Sequence, residues 1–594
     1  MATIQQYFSI GSCTSARWLT ADEFVYLSTQ SGVNQIWKKS LATSKEEQLT
    51  FFEERVWSIH VSGENIFFTM DLGGNEQEQI YKLPKGGEAK NLTRNNAARH
   101  QFGGVKPDGK TVVFACNARN PHSFDLCELD SESGQQRILL QNTDSYNTPA
   151  ALSPNGKYLL YNKLKAQSDN CLWMLDTEEG TAQNIDPQAD FAQYTNPTWK
   201  KDSSGFYFLT DKDSEYKYLA YYDVADAKIT KIYEEGWDIE DVSLSCDDRY
   251  LAVKINRDGY SVLEIYNTEK GVFENLPSLP KGVMGYYGCS WSPSGHRLLV
   301  TLTSGQRPAD IWMLDVDCDK VERMTFTDLQ GIEKDDLVEP TLCHFQSFDG
   351  LTIPYWLYQG KGNDGSKGVV VEIHGGPEGQ ERPMFSPMLQ YLVGEGLTIV
   401  APNVRGSTGY GKTYHHLDDV EKRLDSVHDA ACLAEHLVQA GIAPKGKIAV
   451  MGASYGGYMT LSCVTRYPDL WAAGVDTVGM SNLETFLENT ADYRRAHRES
   501  EYGSLANHRQ ILREVSPIHK VDQITAALMV VHGANDPRVP VGEAEQIVKS
   551  LRDRNVPVEY LCYPDEGHGL SKRKNQFDCY PKVAAFLKKH LEME

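Results

Sequence analysis

The chain has 594 residues, too many for one hydrophobic core, so two or more domains are expected. An apolar content of 41% with 24% charged residues argues against a disordered chain, and a formal net charge of -22 argues against nucleic acid or an anionic membrane as partner, since either needs a basic patch. No run of 18 apolar residues suggests a membrane span, and MATIQQYFSIGSC lacks the basic start and apolar run of a signal peptide. Twelve scattered cysteines without a C-x-x-C pair read as reduced thiols of a cytoplasmic protein, with Cys116, Cys171 and Cys562 expected in strand cores.

In chain order, roughly the first 320 residues repeat one theme: an apolar strand after a Pro/Asp/Gly turn, then an alternating partner strand. Its copies are WLTADEFVYLS, HVSGENIFFTM, VKPDGKTVVFAC, LSPNGKYLLYN, WKKDSSGFYFLT, LSCDDRYLAVK and WSPSGHRLLVT. They recur roughly every 41 to 49 residues, the period of a propeller blade. Partner strands such as QIWKKSL and DIWMLD alternate apolar and polar, as antiparallel strands with one buried face do. Residues 1–335 are therefore expected to form a seven-bladed β-propeller.

Beyond residue 335 the pattern changes. FQSFDGLTIPYWLYQ (345–359) reads as one more hairpin turning at Asp349-Gly350. The short apolar runs VVVEI, LTIVAP, KIAVM, ALMVV and VEYLCY then alternate with amphipathic helical patterns. That alternation predicts a mostly parallel sheet covered on both faces, so 336–594 is expected to be an α/β-hydrolase domain, doubly wound.

VMGASYGGYM (450–459) places Ser454 between a strand and a helix, with Gly452, Gly456 and Gly457 around it. Such an elbow lifts a hydroxyl above the sheet at the positive end of the helix. A serine needs a base to take its proton, and the base needs a carboxylate to orient it. In chain order Ser, acid, His, the candidates at strand ends are Ser454, Asp536 and His568. Asp565 lacks a strand-end position, and His532, inside the strand before Asp536, reads as a packed residue. The oxyanion donors expected are the backbone N–H of Tyr455 and one from HGGP (374–377), at Gly376 or Gly375, with His374 structural.

GASYGG, HGGP, NVRGSTGYG, DPRVP and EGHG, in this order, resemble the prolyl oligopeptidase family of serine peptidases, in particular its acylaminoacyl-peptidase-like branch. The resemblance spans the whole second half, and the seven repeats fit that family's N-terminal propeller. It implies a propeller that restricts access to short peptides, and a substrate-carbonyl anchor at Arg538. It also implies propeller edges covered by association, hence a homo-oligomer. For specificity, 479–503 is a candidate pocket wall through Leu483, Phe486 and Tyr493. A free amino terminus would call for a carboxylate at Glu378, Glu499 or Glu501.

The expected activity is acyl transfer from short peptides to Ser454, releasing N-terminal (acyl)amino acids or dipeptides. An esterase with the same triad, or a propeller scaffold with an inactive hydrolase domain, are the alternatives. No metal or cofactor is expected: there is no H-E-x-x-H and no nucleotide loop, and His415-His416 reads as a solvated loop pair.

Overall fold

The computed structural model describes residues 2–143, 146–285, 288–360 and 367–593. Strands β1–β28 form seven consecutive four-stranded sheets, at 13–48, 56–91, 100–140, 146–184, 194–233, 239–273 and 290–323. Each sheet is a sequential antiparallel meander, which the Asp/Gly turns between short alternating strands dictate. Apolar clusters lie between neighbouring blades. The ring closes between separate sheets, with Cys13, Phe24 and Tyr26 of the first blade packed against Leu299, Ile311 and Met313 of the seventh.

The repeated tryptophan of the turn strand has a structural use. The indole N–H of Trp18 donates to Ser290 O at 3.0 Å, that of Trp199 to Ala151 O at 3.3 Å and that of Trp291 to Ser243 O at 2.8 Å. Each bond reaches from one blade to the blade before it in the ring. An apolar ring with one polar corner can thus fill an interblade core and satisfy a carbonyl there.

The second half holds one eight-stranded sheet in the order β29-β30-β32-β31-β33-β34-β35-β36. The hairpin β29 (Thr341–Gln346) and β30 (Thr352–Tyr358) turns at Asp349-Gly350 and joins β32 (Thr398–Pro402) antiparallel. The strands β31 (Val369–Ile373), β33 (Ile448–Ala453), β34 (Ala473–Thr477), β35 (Ala527–Gly533) and β36 (Val558–Tyr563) run parallel. Their near-continuous apolar runs suit burial on both faces.

Ten α-helices are described. One face of the sheet packs on α4 (Arg423–Gln439), α5 (Tyr455–Arg466) and α9 (Gly542–Asp553). The other packs on α2 (Pro387–Gly394) and α10 (Arg573–His590), together with α1 (Ile4–Ser9). The N-terminal α1 thus belongs to the hydrolase core although it precedes the first blade: Tyr7 meets Tyr391 edge-on at 5.9 Å and Phe8 stacks on Tyr580 at 4.7 Å. A division at 335/336 leaves this helix on the far side of its packing partners.

Two cysteines depart from the expected core placement. Cys116 is buried, but Cys171 is half-buried and Cys562 exposed. Cys562 lies on β36, the edge strand of the sheet, where an apolar run need not be covered on both faces. The pair His415-His416 is not solvated as expected either. His415 ends the short helix α3 (Lys412–His415), is buried, and stacks on His416, whose Nδ1 lies 2.7 Å from Asp419.

Candidate active site

Strand β33 delivers Ser454 and α5 leaves from it. Ser454 has φ 60° and ψ -117°, a left-handed conformation that a side chain rarely adopts. It is held by its N–H, which donates to Thr477 O on β34 at 2.9 Å, and by its carbonyl, which accepts from Tyr458 N at 3.0 Å. Gly456 makes the turn sterically feasible, since a Cβ there would overlap the Ile373 carbonyl oxygen. The serine therefore stands at the N-terminus of α5, where developing negative charge is favoured.

Asp536 follows β35 in a turn that aims backbone amides at its carboxylate. Its Oδ1 accepts from Arg538 N at 2.8 Å and Val539 N at 3.0 Å, and its side chain is fully buried. Its Oδ2 lies 2.6 Å from Nδ1 of His568. A carboxylate can only accept here, so Nδ1 carries the proton and Nε2 is left as the basic nitrogen. The loop bearing His568 is pinned by buried Glu566, which accepts from Ser571 N, Lys572 N and Asn575 Nδ2 at the start of α10. Asp565 serves the same helix start, with Lys574 and Asn575 as partners that hold its carboxyl near 2, and does not approach His568 as a partner. His532 is fully buried, with Nε2 2.9 Å from Val539 O.

Ser454 and His568 line one cavity of 410 Å³, together with Gly375, Gly376, Phe486 and Arg538. Among the described residues no hydrogen bond joins Ser454 to His568. Tyr455 begins α5, so its N–H has no carbonyl a turn earlier in the helix. Its buried phenol is anchored by Asp418, Arg423 and Ser426, which fixes the orientation of that first peptide. Gly376 has φ 138°, and a Cβ there would come within 2.6 Å of Glu378 N. His374 is buried below this loop, its ring nitrogens 2.8 Å from Gly375 O and Ser407 Oγ. Glu372 also lines the cavity, and burial pushes its carboxyl up to about 7.

The proposed walls and anchors divide. Phe486 faces the cavity, whereas Leu483 is fully buried in the core and Tyr493 is turned to the propeller, where its hydroxyl accepts from Arg99 and its ring meets Phe124 and Tyr146. Glu378, Glu499 and Glu501 do not line the cavity. Glu378 is buried beside Arg498 at 3.9 Å, and burial together with the neighbouring Glu501 holds its carboxyl well above the usual range. Glu501 is ion-paired with fully buried Arg423, and Glu499 accepts from Leu505 N at 3.1 Å. A propeller carboxylate, Glu76, accepts from Arg538 Nε at 2.5 Å. Nothing local in the sequence marks it, because it stands 462 residues before its partner. Arg494 and Arg498, on α7 (Asp492–Tyr502), also line the cavity; their spacing of four on one helix was the available signal.

The hairpin that carries Glu76 touches the loops of Asp536 and His568 at three points. Asn535 Nδ2 donates to Gly73 O at 3.1 Å, Arg538 pairs with Glu76, and Gly74 is pressed so close to Gly567 that a Cβ would lie 2.7 Å from its nitrogen.

Comparison with known proteins places this geometry among relatives. The sequence pattern of the prolyl oligopeptidase family matches residues 383–594, and that of the prolyl oligopeptidase N-terminal β-propeller domain matches 125–327. The chain is 27% identical to dipeptidyl peptidase family member 6 of Caenorhabditis elegans, over 95% of this chain and 82% of that one. It is 28% identical to dipeptidyl aminopeptidase BIII of Pseudoxanthomonas mexicana, over 86% and 76%. Acylamino-acid-releasing enzyme 1 of Oryza sativa subsp. japonica is 25% identical over 41% of this chain and 33% of its own. In fold, a puromycin-hydrolysing peptidase of Mycobacterium tuberculosis superposes with a TM-score of 0.88 at 19% identity, over 100% of this chain and 96% of that one.

Proposed function

The chain belongs to the prolyl oligopeptidase family of serine peptidases, and from that premise we propose that it releases N-terminal (acyl)amino acids or dipeptides from short peptides through an acyl-enzyme on Ser454. His568 Nε2 takes the hydroxyl proton as the oxygen attacks the scissile carbonyl, and returns it to the leaving amine. Asp536 holds the ring in the required tautomer and stabilises the imidazolium. The amides of Tyr455 and Gly376 receive the oxyanion; one such donor is worth about 3 kcal/mol in the transition state. Water then repeats the sequence against the acyl-enzyme. Arg538 anchors a substrate carbonyl, with Phe486 as a wall of the pocket.

The observation that carries the reading is the 2.6 Å Asp536–His568 contact in the same cavity as a strained serine elbow. Release from the N-terminal side draws on the relatives named dipeptidyl peptidases, which match most of the chain. No described helix is long and apolar enough to cross a membrane, and all twelve cysteines are free thiols, in keeping with a reducing, cytoplasmic setting. Association of copies through propeller edges is part of the same proposal.

A fluorophosphonate probe is expected to label the protein and to lose its target in Ser454→Ala. An unlabelled wild type removes the proposal. Comparing aminoacyl and dipeptidyl amides with their N-acetylated counterparts then sorts the modes: faster turnover of the acetylated form eliminates the free-terminus branch, and the reverse eliminates the acylated one.

A further inference from the structure

Three guanidinium groups line the cavity that holds Ser454 and His568: Arg494, Arg498 and Arg538. Their acceptors are too few. Arg538 has Glu76. Arg498 donates one bond, to Gly376 O at 3.3 Å, and its nearest carboxyl, Glu378, is 3.9 Å away. Burial and the adjoining Glu501 hold that carboxyl well above its usual range. Arg494 is the extreme case. Its side chain is 16% exposed, yet among the described residues its guanidinium makes no hydrogen bond, and its only ion pair is at 3.7 Å to the same Glu76 that serves Arg538. Arg99 lies 4.0 Å from Glu76 but is held by Glu78 at 2.8 Å.

A guanidinium presents five N–H donors in a planar fork, and burying such donors without acceptors is costly. Arg494 and Arg498 are four apart on α7, so their forks share one face, and the cavity is what that face looks onto. Backbone carbonyls of a peptide could occupy one fork. Two forks short of acceptors, with Glu76 already paired to Arg538, leave an excess of positive charge on this face of α7 that neutral peptide groups do not offset. A carboxylate matches the fork bidentately and removes the charge excess at once.

The geometry points to a substrate whose acyl part carries a carboxylate, within the two residues before the scissile bond, gripped by Arg494 and Arg498. Asp or Glu side chains and dicarboxylic N-acyl groups all supply it. This rests on the serine-peptidase reading above and adds to it the charge of the preferred substrate.

The test uses the full-length protein and four matched peptide amides with Glu or Gln at the first or second residue before the cleaved bond. At one of these positions kcat/KM is expected to favour Glu over Gln by at least about tenfold. That ratio should shrink as NaCl is raised. In Arg494→Gln the ratio should fall toward one, and Arg494→Lys should restore part of it. Equal or slower turnover of Glu at both positions in the wild type overturns the inference, whatever the variants do. Fluorophosphonate labelling and hydrolysis of the Gln substrates report separately on the peptidase reading, so each can fail without the other. A wild-type preference for Glu that persists undiminished in a labelled Arg494→Gln protein overturns the assignment to this residue.

Discussion

Asp476 lies directly beneath the elbow, one residue before the Thr477 carbonyl that holds Ser454; it is fully buried, and among the described residues its carboxyl has no side-chain partner. Burial, reinforced by Glu543, pushes its carboxyl up to about 7. A carboxyl raised in this way contributes stability that is fully present below its ordinary value of 3.8 and is lost as pH rises through about 7. Asp476→Asn keeps the shape of the protonated acid and cannot ionise. It is therefore expected to be more stable than the parent at pH 8.5, by on the order of 3 kcal/mol, with the gain vanishing toward pH 4. Urea unfolding at the two pH values reads this directly, and equal midpoints at pH 8.5 would count against a buried charge there. The proposed triad was legible in the sequence because each member sits at a strand end marked by glycines or a turn. Arg494 was not, because the sequence marks its segment only as a candidate pocket wall and does not show which of its charged side chains turn to the cavity. Glu378 misled for the converse reason: a charge beside an active-site loop looks available, and only packing shows it shut in with Glu501 and Arg498.

Among elements, the blades show what a repeat conserves physically. The turn strand supplies apolar residues to both interblade layers, and where it starts with tryptophan it also supplies a cross-blade donor. Trp291→Phe keeps an aromatic ring there but removes the indole N–H that donates to Ser243 O, together with part of the ring's packing. A loss of about 1 kcal/mol is expected, read as a lower urea midpoint for the propeller transition. An unchanged midpoint would mean that water serves that carbonyl equally well. The period and the alternation foretold the number of blades and their antiparallel strands. They could not foretell which hairpin reaches the catalytic side, because the strands on either side of 71–76 follow the same pattern as those of every other blade.

At the scale of the whole molecule the two halves are interlocked at both ends. Arg382 of the hydrolase reaches Glu240, Ser261 and Gly259 of the propeller, and Arg573 donates to Thr29 O at 2.8 Å. The first helix crosses back to cover the sheet. Its length of six residues and lack of a long apolar run gave no hint of that docking. Tyr7 is 3% exposed against α2. Tyr7→Ala is expected to cost about 3 kcal/mol and to lower the melting temperature of the hydrolase half while fluorophosphonate labelling persists in the cold. If that half melts as before, α1 is an ornament and the core is complete without it.

The hairpin at 71–76 gives the molecule an interlock of its own. The segment that leans on the loops of the acid and the base is also part of the roof, so prising the halves apart to admit a peptide withdraws the brace from Asn535, Arg538 and Gly567 together. An opened molecule is therefore expected to hold Asp536 and His568 less firmly than a closed one.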